Sequence, residues 1–361
     1  MLVVINGRFL THKLTGVERF ACEFVKALDA LIGKGIIDPK YSLLLITPSR
    51  TEIPFKLSHI RVKQAGLFAG HLWEQLELPL YARRGVLLSL CNSAPLLKTQ
   101  QLVVIHDAAV YAVPHAYSVV FRAWYKFMLP LLGKMARHLI TVSQFSRSEL
   151  VRYCGYDEAK ITVVQEGSEH ILAQTPDNTI LQRTGIGDRP FILAVSSLTP
   201  NKNFGAVARA IGIIGSEKFH LVVAGNSNPN VFSTAQTVLP DFVKYAGYVS
   251  EVELRALFES AACFVYPSFY EGFGLPPLEA MACGCPVIVS KAASLPEVCG
   301  DAALYCDPYD HTDIAEKIAQ VMHDRGKQDD MRHKGLKQAA KYSWEKAALS
   351  VWAVVEKIIT R

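Results

Sequence analysis

The sequence lacks the long apolar run that a membrane-spanning helix requires. No uncharged apolar stretch reaches about 18 residues, and Met1 is followed at once by strand-like residues without the basic segment of a secretory signal. The formal net charge is only +5, and basic and aromatic residues are not interleaved as they are in proteins that bind single-stranded nucleic acid. These absences predict a cytoplasmic protein that neither crosses a membrane nor binds nucleic acid.

Metal-binding patterns are also missing. The chain has eight cysteines, and Cys283 and Cys285 are close together, but their spacing and the lack of a second ligand pair do not suit zinc. Without a sign of secretion, the cysteines are expected to be reduced, mostly core thiols. The sequence therefore predicts no metal site and no bound cofactor.

Half of the residues are hydrophobic, which is enough for two domains with substantial cores. In the N-terminal half, apolar strands alternate with helical patterns, which favours an α/β fold with a parallel sheet covered on both faces. The predicted segments are Leu2–Ile5, 16–31, 41–47, 72–83, 86–91, 102–105, 117–136, 138–142 and 144–153. Residues 173–190 are polar and contain glycine and proline, so they predict a domain boundary. The alternation resumes after them, which predicts a second sheet and ligand binding beyond the carboxyl ends of its strands.

The segment 266–290 (YPSFYEGFGLPPLEAMACGCPVIVS) concentrates the chemistry. An apolar strand ends at its start, and a glycine-containing loop then leads into a helix whose first turn holds two prolines. A helix that begins after such a loop is a natural phosphate site, and its predicted lining is Gly272, Phe273, Gly274 and Leu275. Glu271 precedes this site and can meet sugar hydroxyls, while Glu279 follows it and can hold the hydroxyls of a ribose. The alternative is an ordinary strand–loop–helix whose two glutamates are solvated.

This segment resembles the signature of the retaining GT-B glycosyltransferases of family 4, also called glycosyl transferases group 1. The resemblance covers nearly the whole chain and is densest at residues 191–310. It implies two Rossmann-like domains that face each other across a cleft, and transfer of a sugar from a nucleotide sugar without a metal held by an Asp-x-Asp motif, which the sequence lacks. The implied domains are an acceptor-side domain at 1–175, a nucleotide-sugar-binding domain at 176–345, and a C-terminal helix at 346–361 that packs back on the first domain.

Lys202 follows a predicted strand, where an ammonium group can neutralise a diphosphate and stabilise the charge on a departing nucleotide. The family often has a Gly-x-Leu…Arg-Lys-Asn pattern here, but this chain has Ser196 for the glycine and Asn201 for the arginine. The missing cation can come from Arg8. Ser197 and Asn201 are counted among the candidate substrate contacts. A surface lysine on a loop is the alternative interpretation of Lys202.

His106 and Asp107 end a strand of the first domain. A structural histidine is the alternative, but the resemblance implies that His106 lies near the donor sugar, where it positions and polarises rather than forms a covalent bond. Gly16 begins a helix whose N-terminus can face phosphates, although a simple turn explains it as well. The resemblance also places Tyr248 and Val249 in a nucleobase pocket, with a core aromatic as the alternative.

A basic and apolar stretch at residues 121–137 (FRAWYKFMLPLLGKMAR) can contact the surface of an anionic membrane. The alternative is the core face of a helix, which Pro130 is expected to interrupt.

The His106–Asp107 segment and LPEVCGDAALYCDP resemble bacterial mannosyltransferases. This implies GDP-mannose as the donor, and a glycan or polyprenyl-diphosphate-linked acceptor in surface polysaccharide synthesis (O-antigen, capsule or exopolysaccharide). UDP-glucose, UDP-N-acetylglucosamine and deoxysugar donors remain open. Two other functions also remain open: a nucleotide-sugar epimerase of similar architecture, and a non-catalytic partner that binds nucleotide sugars.

Overall fold

A computed structural model describes residues 1–187, 189–195, 200–215, 219–225 and 242–360. The chain forms two compact units, one of Met1–Gly167 with Ser343–Arg361 and one of Ser168–Tyr342. The sequence places the first boundary later, at 175, within the polar run of residues 173–190. In the structure the short helix Glu169–Leu172 already packs on the second unit, against α10 (Leu275–Ala282).

The first unit is built on a seven-stranded sheet in the order β3-β2-β1-β4-β5-β6-β7, in which every described pair is parallel. Its strands are β1 (Leu2–Asn6), β2 (Ser42–Thr47), β3 (Arg61–Gln64), β4 (Val86–Ser89), β5 (Gln101–Val104), β6 (His138–Thr141) and β7 (Ile161–Val163). Its helices are α1 (Gly16–Gly33), α2 (Gly70–Leu72), α3 (Leu78–Tyr81), α4 (Ala109–Ala112), α5 (Val119–Met135), α6 (Gln144–Cys154) and, from the end of the chain, α14 (Trp344–Thr360).

The edge strand β3 was not predicted from the sequence. All four of its residues are exposed, with a single apolar residue, Val62, among polar ones. Hydrophobic periodicity reports burial, so a strand that buries nothing gives no such signal. Its polar and charged residues suit an edge, because they discourage pairing with another chain.

Pro130 lies inside α5, and the helix continues through it from Val119 to Met135. The expectation that Pro130 interrupts this helix was therefore wrong. Tertiary packing explains the difference, because Met128, Leu129 and Leu132 around the proline are buried in the core of the unit. Their burial offsets the hydrogen bond that a proline removes from a helix.

The terminal helix α14 packs on α1 within the first unit. Trp344 meets the Phe20 ring edge to face at 5.8 Å between centroids, and Trp352 meets Tyr41 at 5.0 Å. Val351 and Val355 are fully buried on the same helix. A segment distant in sequence thus completes the core beside α1.

The second unit is built on a six-stranded sheet in the order β10-β9-β8-β11-β12-β13, again with parallel pairs. Its strands are β8 (Phe191–Val195), β9 (His220–Ala224), β10 (Val243–Gly247), β11 (Cys263–Tyr266), β12 (Val287–Ser290) and β13 (Ala303–Cys306). Its helices are α7 (Thr179–Arg183), α8 (Phe204–Ile214), α9 (Glu251–Ser260), α10, α11 (Leu295–Cys299), α12 (His311–Met322) and α13 (Arg325–Ala339).

The parallel arrangement decides where functional groups meet. Residues that follow the strands of one sheet share its carboxyl edge, which is where open α/β sheets bind ligands.

All eight cysteines are unpaired, and none of them belongs to a disulfide. In the described part of the chain, no helix is both long and apolar enough to cross a membrane.

Candidate active site

The glycine-containing loop between β11 and α10 is held in a conformation that requires glycine at its end. Gly274 has a φ of +116°, and a Cβ atom there would lie 2.8 Å from Leu295 Cδ2. The hydroxyl of Ser294 lies 2.9 Å from the carbonyl oxygen of Glu271 and 2.6 Å from that of Phe273. These two contacts with Ser294 hold the backbone of the loop in place.

The donors at the start of α10 differ from those of an ordinary helix. Pro276 and Pro277 occupy its first turn and have no N–H group. The helix N-terminus therefore supplies fewer backbone N–H donors than a helix without prolines would. Among the described residues, the N–H groups of Phe273 and Gly274 have no hydrogen-bond acceptor. The loop therefore offers its own N–H groups to an anion.

Lys202 and Glu271 form a close ion pair in the second unit. Lys202 Nζ lies 2.6 Å and 2.9 Å from the two carboxylate oxygens of Glu271, and 2.7 Å from the hydroxyl of Tyr266. Burial opposes the charge on Lys202, but the Glu271 carboxylate and the Tyr266 oxygen more than compensate, and they raise the pKa of the lysine above its ordinary value. Lys202 is therefore a fixed cation at neutral pH.

Backbone contacts tie the Lys202 segment to the loop that carries Glu271. The carbonyl oxygen of Asn201 accepts from the N–H of Phe269 at 2.8 Å and from the hydroxyl of Ser268 at 2.9 Å. The Asn201 side-chain amide donates to the carbonyl oxygen of Tyr270 at 3.3 Å. Asn201 thus joins the connections after β8 and β11, and it does not replace the arginine of the family pattern as a cation.

Glu279 is buried on α10 and accepts a hydrogen bond from His170, with Oε1 2.9 Å from Nε2. His170 is also buried and lies in the short helix that opens the second unit. Among the described residues no hydrogen bond is found for Oε2 of Glu279. The carboxylate is oriented by one oxygen and keeps the other for a ligand hydroxyl.

Tyr248 follows β10, and its side chain is 79% exposed. The alternative of a core aromatic is therefore wrong, while neighbouring Val249 is half-buried. An exposed ring beside a strand end can stack on a nucleobase. Ser196 and Ser197 lie outside the described residues.

His106 lies directly after β5 in the first unit and is almost fully buried. Its Nε2 is 3.1 Å from the carbonyl oxygen of Leu90, and its Nδ1 is 3.4 Å from Oε1 of buried Glu166. Burial lowers the pKa of His106, but the hydrogen bond and the charge of Glu166 outweigh it and raise the pKa above the ordinary value. Since both partners are acceptors, the geometry suits a doubly protonated imidazolium. A sugar contact would require the ring to release one of them.

Arg8 is buried and already paired in the first unit. Its Nε lies 3.1 Å from Oε1 of Glu74, and its Nη2 donates to the hydroxyl of Ser93 at 2.6 Å. Its Nη1 lies 3.2 Å from Nε2 of His12. Arg8 is therefore not a spare cation in this structure.

The two remaining candidates lie at helix starts. Gly16 is exposed at the first position of α1, and a Cβ atom there would meet nothing within 4 Å. The side chain of Asp107 accepts from the N–H of Ala109 at 2.8 Å, which forms a local turn just before α4. No group of three or more metal-ligating side chains occurs among the residues described.

Known proteins resemble this chain in sequence. Residues 177–338 match the model of the family described as glycosyl transferases group 1. An O-antigen chain mannosyltransferase B of Escherichia coli is 32% identical over 254 residues, which are 68% of this chain and 67% of that protein. The chain belongs to the glycosyl transferases group 1 family. The O-antigen chain mannosyltransferase RfbU of Salmonella typhimurium is 26% identical to this glycosyltransferase over 88% of the chain and 90% of its own length.

Solved structures share the fold of this glycosyltransferase. A sucrose-phosphate synthase from Thermosynechococcus elongatus superposes with a TM-score of 0.76 at 18% identity and covers 99% of both chains. The α/β fold predicted from the sequence, the GT-B fold, is thereby confirmed.

Three residues of the candidate site were not predicted from the sequence: His170, Tyr266 and Ser294. Each acts by holding a candidate residue through a contact that no local spacing reveals. The only available signal was the segment QEGSEH, which places Glu166 and His170 after a strand.

We expect the titration of His106 to depend on Glu166. In Glu166→Gln, the pKa of His106 should fall below its wild-type value, because burial then acts without the compensating carboxylate. The pKa is read from the histidine ring resonances by NMR. Since the folded pKa is raised, the stabilisation from this pair is complete below the ordinary value of about 6.5 and is lost as the pH rises through the folded value. An unchanged pKa in the variant would contradict the assignment.

Proposed function

We propose that this glycosyltransferase is a retaining enzyme of family 4 that moves a hexose from a nucleotide diphosphate sugar to a glycan or lipid-linked acceptor. The observation that carries the proposal is the Lys202–Glu271 pair beside a loop with unpaired N–H groups. A cation and backbone donors suit a diphosphate, and a neighbouring carboxylate suits the hydroxyls of the attached sugar.

The donor that we propose is GDP-mannose, and the products are surface polysaccharides such as O-antigen. The mannosyltransferase names of both bacterial relatives support this choice. Tyr248 is available for the base, and Glu279 for the ribose hydroxyls through its remaining oxygen. The acceptor-side domain is the first unit, and no essential metal takes part.

The proposed transfer proceeds on one face of the donor sugar. The acceptor oxygen bonds to the anomeric carbon while the bond from that carbon to the diphosphate oxygen breaks. The departing phosphate oxygen takes the proton of the acceptor hydroxyl, so no protein nucleophile is needed. Lys202 stabilises the charge that builds up on the diphosphate, which is a transition-state effect. We propose that His106 contributes by positioning and polarising the donor sugar.

A peripheral contact with the inner face of the cytoplasmic membrane also belongs to this proposal. Helix α5 exposes Val119, Val120 and Phe127 by 70%, 80% and 59%. Arg122 and Lys126 lie on the same helix. Apolar side chains beside basic ones complement the surface of an anionic bilayer, where a lipid-linked acceptor would be found.

The function is tested by ligand stabilisation followed by product analysis. GDP-mannose should raise the melting temperature more than UDP-glucose or UDP-N-acetylglucosamine, since a ligand at about 100 times its Kd adds about 2.7 kcal/mol of stability. With a synthetic α-linked methyl dimannoside as acceptor, NMR should show an α-mannosyl product, with EDTA present or absent. Conversion of the donor without acceptor would indicate an epimerase, and binding without any turnover would indicate a non-catalytic partner.

Glu279→Ala should weaken binding of the free nucleoside diphosphate by about 1.5–3 kcal/mol, the range for hydrogen bonds to a charged group. Isothermal titration calorimetry measures this loss. Glu271→Ala serves as the control. Its carboxylate is assigned to the sugar and competes with the diphosphate for Lys202, so its removal should not weaken diphosphate binding by more than a few-fold. Equal affinities of wild type and Glu279→Ala would remove the ribose assignment.

Lys202→Ala should lower kcat as well as weaken donor binding, because the leaving group gains charge in the transition state. Steady-state kinetics with GDP-mannose separate the two effects. Tyr266→Phe is the matched control, since it removes only the phenolic contact of the lysine and should lower kcat far less. A Lys202→Ala enzyme with a raised KM and a normal kcat would show that the lysine only binds.

A further inference from the structure

The first unit contains a buried polar cluster that the proposed chemistry leaves unused. Its centre is the carboxylate of Glu74, which is completely inaccessible to water. Three hydrogen-bond donors reach it, Asn6 Nδ2 at 2.8 Å, Ser93 Oγ at 2.9 Å and His71 Nδ1 at 3.2 Å, and Arg8 Nε forms an ion pair with it at 3.1 Å. Burial alone would raise the pKa of Glu74, but His71, Arg8 and Asn6 more than compensate and lower it.

A π-helical turn places Glu74 at the centre of this cluster. Residues Trp73–Glu77 form the turn between α2 and α3. Such turns widen a helix locally and occur frequently at functional sites. Here the turn is held by the indole N–H of Trp73, which donates to the carbonyl oxygen of Ala65 at 2.7 Å.

Two histidines of similar exposure flank the cluster, and their hydrogen bonds differ. The side chain of His12 is 37% exposed and that of His71 is 36% exposed. Arg8 has only donors, so Nε2 of His12 must accept from it, and Nδ1 of His12 is directed at Glu18. Both ring nitrogens of His12 are therefore occupied.

His71 has one ring nitrogen to spare. Its Nδ1–H donates to Glu74, which fixes the tautomer with the lone pair on Nε2. No hydrogen-bond partner for that Nε2 is found in the described part of the chain. A carboxylate that orients a half-exposed histidine in this way leaves an acceptor directed away from the core.

Aromatic rings surround His71. The ring of Trp124 lies 5.2 Å from the ring of His71, and that of Tyr125 lies 6.2 Å away. The indole N–H of Trp124 is buried without a protein partner among the described residues. An unpaired donor and an unpaired acceptor on adjacent rings, with aromatic faces beside them, match the alternating hydroxyls and C–H faces of a sugar.

We infer that His71, oriented by Glu74, binds a hydroxyl of the acceptor sugar through Nε2, with Trp124 as its neighbouring contact. This inference rests on the proposed function, because it supplies the acceptor side of that reaction. The ligand class is a neutral hexoside at the end of a glycan. His71 holds the acceptor and takes no proton in the transfer.

The test substitutes asparagine for the histidine, because the Asn amide can still donate from the position of Nδ1 while the Nε2 acceptor is lost. His71→Asn should weaken binding of a methyl α-linked dimannoside about tenfold, measured by NMR titration without donor. The acceptor KM should rise by a similar factor, whereas donor hydrolysis without acceptor stays within about twofold. Trp124→Phe, which keeps a ring but removes the N–H, should weaken binding several-fold.

His12→Asn is the matched control, since it makes the same change at the other half-exposed histidine, and dimannoside binding should remain within about twofold of wild type. Equal binding by wild type and His71→Asn would overturn the inference, as would an equal loss in His12→Asn or a wild-type protein that does not bind the dimannoside. If the wild-type protein binds the dimannoside but does not turn over GDP-mannose, the proposed function fails while the sugar site stands.

Discussion

A carboxylate that leaves water must be matched by donors, and this constraint organises the carboxyl edges of both sheets. Moving an unpaired carboxylate into the protein interior costs several kcal/mol. Four glutamates among the described residues are accordingly paired, the partly buried Glu271 with Lys202 and the buried Glu279 with His170, Glu166 with His106, and Glu74 with Arg8. The pairs fix the loops that carry them, so the candidate site owes its geometry to the neutralisation of buried charge.

The pairs differ in how much of their binding capacity they leave for a ligand. Glu279 uses one oxygen on His170 and keeps the other, while Lys202 is shared between both oxygens of Glu271 and Tyr266. A diphosphate would therefore compete with Glu271 for the ammonium group, and a sugar hydroxyl could then take its place on the carboxylate. Donor binding and the rearrangement of this pair are expected to be coupled.

The same constraint explains why Arg8, the predicted second cation, is already paired in this structure. Its guanidinium is committed to Glu74 and Ser93, and removal of Glu74 would leave a buried charge unpaired. The pair instead orders the cluster from which His71 emerges. Buried charge in the first unit thus supports the group that we propose binds a ligand at the surface.

The sequence alone determined the alternation of strands and helices, the strand–loop–helix at residues 266–290 and the positions of Lys202, Glu271 and Glu279. These follow from local rules, namely apolar periodicity, glycine where the loop needs a positive φ, and proline in a first helical turn. The sequence also showed that Lys202 and Glu271 each follow a strand. Because parallel pairing brings the carboxyl ends of strands together at one edge of the sheet, these two residues were expected at that edge.

Only the tertiary structure decided which groups pair. His170 reaches Glu279 across 109 residues, and Lys202 reaches Glu271 across 69. No spacing rule connects such residues, because their separation is set by the order of strands in the sheet. The same holds for β3, for the continuation of α5 through Pro130 and for the donors around Glu74. For α5, tertiary packing outweighed the local preference of proline. For β3 and for the donors around Glu74, the decisive contacts form in three dimensions and have no counterpart in local preference.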